Sequence, residues 1–212
     1  MGDGKVLRLL DYLEAQKLLE KYGIETVRSA YVSDAEDAVL FSRGKPIVLK
    51  VISQQALHKS KSGLVKLGLS KPEEIRSAFS YLAKQAHHLT LKQYKVLAQE
   101  MVPSGIEIII GGRIDQQFGK LLLLGLGGVY VETFKDISLR VCPITKYDAA
   151  SMLYQLRSRK VIAPDERAEN RIESLLMKVS KMLVENSISE LDLNPVILRA
   201  DGYNAVDLRI LK

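Results

Sequence analysis

Tryptophan is absent from this 212-residue chain, and Cys142 is its only cysteine. One cysteine excludes an internal disulfide and a cysteine-built zinc site. With aromatics at 6% and hydrophobic residues at 47%, a core can form but must be mostly aliphatic. No apolar run reaches the length of a membrane span. The opening MGDGKVLRLLDYLEAQ lacks the apolar core and cleavage site of a signal peptide and the Ser or Thr of a myristoylation signal. A cytoplasmic protein with no membrane association is expected. Two nucleotide loops are also missing: there is no Gly-x-x-x-x-Gly-Lys-Ser/Thr, and no Gly-x-Gly-x-x-Gly opening a helix. Gly125–Gly128 falls between strands and reads as a tight connection. Internal repeats and low-complexity segments are lacking too.

What is present is positive charge and a mixed α/β pattern. The net charge of +6 suits an anionic partner such as a nucleotide, an acyl-CoA or a nucleic acid. The basic residues are scattered, and the densest group, Leu156–Lys160, has no aromatic platform beyond Tyr154, so nucleic acid ranks last among these. Apolar periodicity predicts helices over Leu10–Tyr22, Asp34–Ser42, a segment opened by SKPEEI and running to His88, Lys146–Gln155 and Asp165–Asn186. Strands are expected in IETVRSAYV, KPIVLKVIS and LVKLGL. In the second half come YKVLAQEMV, GIEIIIGGRI, KLLLLGLG, GVYVETF and ISLRVC, joined by short turns in antiparallel style. The fold class is α+β, with two subdomains over residues 1–92 and 93–212.

Several polar residues stand out against this background. The closing run SELDLNPVILRADGYNAVDLRI holds Asp192, Asn194 and Asp207 among Val, Ile and Leu. Asp-Gly between apolar runs signals a hairpin. An even loop centred on Asp201-Gly202 sets Val196 opposite Asp207 and brings Asp207 onto the face of Asp192 and Asn194. Spacing alone leaves two readings open: edge-strand residues facing water, or a cation site.

Lys50 sits in the middle of an apolar strand, where a buried ammonium needs an anion, unless it snorkels from a strand end. His58 lies in the polar loop that follows; such a histidine is either a solvent-exposed bystander or a phosphoryl carrier. His87 and His88 read only as charge complements at a helix C-terminus. Glu100 and Glu107 flank MVPSGI, a break between strands that suits a hinge. Backbone groups near Gln99, Glu100, Met101 and Val102 are placed to meet adenine, and Glu107 to reach a ribose or a metal.

Taken in order, GKPIVLKV, ALHKSKSGLVKLGL, AQEMVPSGIEIIIGGRIDQQFGK, LGLGGVYVETFKDISLRVCP and ELDLNPVI…AVDLRI resemble the ATP-grasp subunit of ADP-forming acyl-CoA synthetases. Succinyl-CoA synthetase resembles the chain more distantly. The likeness runs from about Leu9 to Ile210. It implies an ATP-grasp fold with the nucleotide site between two α+β subdomains. It also implies the reversible reaction acyl-CoA + ADP + phosphate to acid + CoA + ATP, with acetyl-CoA as the typical substrate.

By resemblance, Asn194 and Asp207 hold the Mg²⁺ of the nucleotide and Asp192 lies near the phosphoryl-transfer centre. Lys50 meets the phosphates, Glu100–Val102 the adenine, and Glu107 the nucleotide. His58 carries phosphate between subunits. The implied partner is a CoA-binding α subunit bearing the first phosphohistidine, in an α2β2 hetero-oligomer. The loop departs from the family's usual His-Lys-Ser/Thr-Asp-x-Gly-Gly: Lys61 stands where Asp is usual, and Leu64 at the second Gly. Ile114 replaces an Arg, Lys120 a Pro, and no Arg-Gly pair follows near Arg167. A diverged subunit that binds nucleotide and regulates its partner without a phosphohistidine relay is the alternative.

Overall fold

The computed structural model describes residues 7–53, 63–128 and 136–212. The chain forms two compact units: Val27–Pro103, and the chain up to Thr26 together with Ser104–Lys212. The division expected at residue 92 therefore falls elsewhere. Strand β4 (Lys95–Glu100) lies between β1 (Ser29–Val32) and β2 (Ile47–Ile52), hydrogen-bonded to both, so it cannot part from the smaller unit. Helix α1 (Tyr12–Lys21) packs instead into the larger unit's core through Ala15 and Leu19. The run IETVRSAYV, expected as one strand, is cut by the boundary. Ile24 joins the larger unit's core, and only Ser29–Val32 pairs in the smaller sheet.

The smaller unit is a four-stranded antiparallel sheet in the order β1-β4-β2-β3, where β3 is Val65–Leu69. Helices α2 (Ala35–Ser42) and α3 (Pro72–His88) cover one face. Ile47, Leu49, Val51, Val96 and Ala98 meet Ala38, Ile75, Ala78, Leu82 and Ala86 there. Asp34 caps α2 by accepting from the Asp37 N–H, as its sequence position predicts. His87 and His88 fall in the last turn of α3.

In the larger unit, β5 (Ile106–Asp115), β6 (Gly119–Leu126), β7 (Ile137–Val141), β8 (Glu190–Leu198) and β10 (Leu208–Leu211) run in the order β10-β8-β5-β6-β7, with β9 (Tyr203–Ala205) also on β8. All these ladders are antiparallel. One face carries Ile108, Ile110, Leu122, Leu124, Leu191 and Leu193. It is buried under α1, α4 (Lys146–Gln155) and α6 (Glu166–Glu185). Between α4 and α6 comes a single turn, α5 (Arg159–Ile162), that the periodicity did not reveal. The strand expected in GVYVETF and the loop carrying His58 lie outside the described residues.

Two departures from the family pattern have structural uses. The 20-residue α6 has no basic residue in its last turn. Lys120 supplies one: its ammonium donates to the carbonyls of Leu183, Val184 and Asn186. The orphan carbonyls at the end of α6 are met by a strand residue more than sixty positions away. Leu64 is 8% exposed and belongs to the smaller unit's core, while its carbonyl accepts from the Val51 N–H at 2.9 Å. A side chain stands there because it packs; burying a leucine contributes about 1.5–3 kcal/mol.

Candidate functional site

Alternation along β8 sends Leu191 and Leu193 into the core, and past the cis Asn194-Pro195 peptide it resumes out of step, with Val196 and Leu198 inward. Glu190, Asp192 and Asn194 are left on the opposite, open face. The closing hairpin turns at Ala200-Asp201, with the Arg199 N–H donating to the Gly202 carbonyl at 2.9 Å. The turn thus sits one residue earlier than Asp201-Gly202. The partner of Asp207 is accordingly Asn194, not Val196: the Asn194 N–H donates to the Asp207 carbonyl at 3.2 Å. The pairs Val196–Ala205 and Leu193–Leu208 bracket them. Val196 lies on the core face, so that pairing would have turned Asp207 inward; its pairing with Asn194 instead places Asp207 on the open face with Asp192 and Asn194. The register of β8 against β5 shifts between Ile108 and Ile110, opposite the cis Asn194-Pro195 peptide.

Arg209 stands directly across from Asp192 and pairs with Glu190 at 3.2 Å. On the other side of Asp192 is Gly111 of β5, which leaves room beside the carboxylate. Burial pushes the Asp192 carboxyl above the usual range. The Arg209 charge pulls it down, and Glu190 and Asp207 push it further up. Glu190, Asp192 and Asp207 meet two guanidiniums, Arg209 and, across from Glu190, Arg113, so the face keeps a net negative charge.

Among the described residues no group of three or more His, Cys, Asp and Glu side chains could hold a metal by itself. Asn194 and Asp207 offer hard oxygen donors on exposed positions, too few for an all-protein cage. That suits Mg²⁺, which keeps waters and takes one or two protein ligands plus phosphates.

Glu107 shares this open face, across from Ile197. The glycine run settles against it. The Gly127 N–H donates to the Glu107 carbonyl at 2.7 Å, and a Cβ on Gly127 would lie 2.9 Å from the Glu107 backbone. The run is therefore a close backbone approach as well as a connection.

The smaller unit holds the other residues. Lys50 is buried, 6% exposed, on the face of β2 turned away from α2 and α3. Its cross-strand neighbours are Leu97 and Val65. On that same face Gln99 is fully buried and donates to the Ser29 hydroxyl at 3.1 Å. The Met101 N–H donates to the Pro46 carbonyl at 2.9 Å, and Val102 is half-buried.

Arg28, unremarked in the sequence, holds Glu100 at 2.9 Å and donates to the Phe41 carbonyl at 2.7 Å. Its guanidinium also lies 3.9 Å from the Phe41 ring centre. It supplies the cation that the last turn of α2 lacks. No local signal marks it, because its partner is 72 residues away. Arg209 was findable, since two steps beyond Asp207 is the same face.

A shallow cavity of about 440 Å³, lined by Tyr31, Phe79, Tyr94 and Lys95 among others, includes none of the sequence-predicted residues.

A family described as ATP-grasp domain matches residues 5–211. The chain is 37% identical over 208 residues to the β subunit of acetate–CoA ligase (ADP-forming) I from Pyrococcus furiosus, covering 93% of this chain and 89% of that one. In structure it is similar to the dinucleotide-forming acetyl-coenzyme A synthetase 1 of Candidatus Korarchaeum cryptofilum bound to coenzyme A and Ca-AMPCP. The TM-score is 0.88 at 37% identity, over 96% of this chain and 93% of that one. A second structure of that enzyme holds Mg-AMPPCP, its phosphohistidine segment pointing towards the nucleotide-binding site. It matches with a TM-score of 0.81 at 38% identity, over 96% and 92%.

Proposed function

Because the chain belongs to the ATP-grasp family, we propose that it is the β subunit of an ADP-forming acyl-CoA synthetase, with acetyl-CoA as the acyl substrate. It would convert acyl-CoA, ADP and phosphate reversibly to acid, CoA and ATP. The observation that carries this reading is the open face of β8 and β10. There Asp192, Asn194 and Asp207 stand together on a chain that follows an ADP-forming ligase subunit along nearly its whole length.

Asn194 and Asp207 would hold Mg²⁺, which neutralises phosphate charge when bound. Lys50 would meet the nucleotide phosphates; it is a point charge held on a rigid strand with little water around it. The Gln99–Val102 segment would receive adenine through its backbone, Glu100 being held by Arg28. Glu107 would reach the ribose. Asp192 would stand beside the transferring phosphoryl. Such a reaction asks little covalent chemistry of the protein; positioning and charge neutralisation supply the catalysis. His58 is the proposed phosphate carrier and lies outside the described residues. The partner would be a CoA-binding α subunit bearing the first phosphohistidine, in an α2β2 assembly. No helix among the described residues is long and apolar enough to cross a membrane. A cytoplasmic location goes with these substrates.

A second reading, nucleotide binding that regulates the partner without a relay through His58, draws on Leu64. Its burial anchors the end of the loop where the family has glycine.

The test reconstitutes the chain with its CoA-binding partner and measures ATP made from acetyl-CoA, ADP and phosphate. Labelled ATP is then used to trap acid-labile phosphate on the β chain, comparing wild type with His58→Ala. Turnover with label that disappears in His58→Ala is expected. Turnover without label supports the second reading, and no ATP from any acyl-CoA overturns both.

A further inference from the structure

We propose that Arg209 is a catalytic residue of this chain, its guanidinium touching the phosphoryl group in transit. This rests on the nucleotide reading above and assigns a residue that reading leaves without a role.

Alternation along the strand puts Arg209 on the same face as Asp207, two residues and about 6.8 Å further on. The ladder sets it across from Asp192. It therefore stands between the proposed metal pair and Glu190, at the end of the face where a phosphoryl group would meet carboxylates. Glu190, Asp192 and Asp207 repel an anion. A metal on Asn194 and Asp207 cancels charge beside Asp207, while Asp192 and Glu190 remain. The cation placed against both is Arg209, joined at Glu190 by Arg113 from β5.

A guanidinium suits this task better than an ammonium. Its planar fork offers donors to more than one oxygen at once, and the charge of a transferring phosphoryl is spread over three equatorial oxygens. Only part of the fork is in use. One terminal nitrogen pairs with Glu190, and the Nε is buried without a hydrogen-bond partner among the described residues. The ion pair itself does not account for the residue. Both side chains are about 40% exposed, and such pairs contribute little to stability.

In the transfer the P–N bond of a phosphohistidine breaks. Its electron pair stays on the imidazole nitrogen, which takes a proton from water, while a β-phosphate oxygen of ADP bonds to phosphorus. Arg209 gains and loses nothing; it holds oxygens of the moving group.

Calorimetry on the isolated chain tests this with Mg-ADP alone and with Mg-ADP plus fluoroaluminate, a mimic of the phosphoryl in transit. Wild type is expected to bind Mg-ADP more tightly when fluoroaluminate is added. In Arg209→Met, Mg-ADP affinity should stay within about threefold of wild type while that tightening falls at least tenfold. Equal tightening in Arg209→Met, no tightening in wild type, or a parallel loss of both affinities overturns the inference. If thermal melts show Arg209→Met unfolded, Arg209→Lys decides: reduced tightening supports the role and undiminished tightening rejects it. A wild type that binds no Mg-ADP sinks the nucleotide reading itself, a failure distinct from these.

Discussion

Asn194 and Asp207 face each other across the closing strands, the Asn194 N–H donating to the Asp207 carbonyl at 3.2 Å. Their side chains share the open face with Asp192 while Leu193 and Leu208 continue the ladder beside them. Asp207→Asn keeps this geometry and removes one charge. A charge-assisted contact is worth about 1.5–3 kcal/mol, so Mg-ADP affinity should fall about ten- to a hundredfold. Affinity for ADP without Mg²⁺ should change little and the melting temperature should hold. Calorimetry with and without Mg²⁺ checks it; equal losses in both titrations would remove Asp207 from the metal.

Lys50 makes a different prediction because it is buried on a rigid strand of the smaller unit. Lys50→Met should weaken ADP binding by about tenfold or more, the worth of one charged contact, while adenosine affinity stays within about twofold. Parallel loss for ADP and adenosine would make the lysine structural.

Lys120 should matter to stability and not to nucleotide binding. Its ammonium serves three carbonyls at the end of α6. Cation–dipole and capping effects of this kind are worth up to about 2 kcal/mol in partly buried settings. Lys120→Ala should lower the urea midpoint accordingly, with Mg-ADP affinity unchanged. A midpoint equal to wild type would show the contact to be neutral.

Asp136 gives the chain a pH dependence whose sign can be worked out. Burial opposes its charge, but hydrogen bonds from Ser158 and from the Arg157 backbone outweigh it and hold the carboxyl below its usual range. An acid with a depressed folded pKa contributes stability that is fully present above its unfolded value, near 3.8. That contribution is lost as pH falls through the folded value. Asp136→Asn should therefore be less stable than wild type at neutral pH, by about 1–3 kcal/mol for hydrogen bonds to a charged group. The two should converge below pH 3.8. Urea unfolding of both proteins across pH 3–7 checks it, and a constant difference would exclude Asp136 as the cause.

The face shared by Asp192 and Asn194 was legible in the sequence because side chains alternate along the stretch Glu190–Asn194. The turn sits one residue earlier than expected and alternation breaks at the paired Pro195 and Val206, and the two offsets together return Asp207 to the face of Asn194. Helix caps such as Asp34 were legible for the same reason: cap and helix are adjacent in the chain. Only the tertiary structure decided what depends on closing long loops. The cut through IETVRSAYV follows from Ile24 packing into one unit and Ser29–Val32 pairing in the other. Arg28 on Glu100 and Lys120 on the end of α6 join residues far apart in sequence. Nothing in the local pattern of either partner names the other. Such contacts are chosen by which surfaces the packed sheets and helices bring together, and the chain's short-range periodicity carries no record of that.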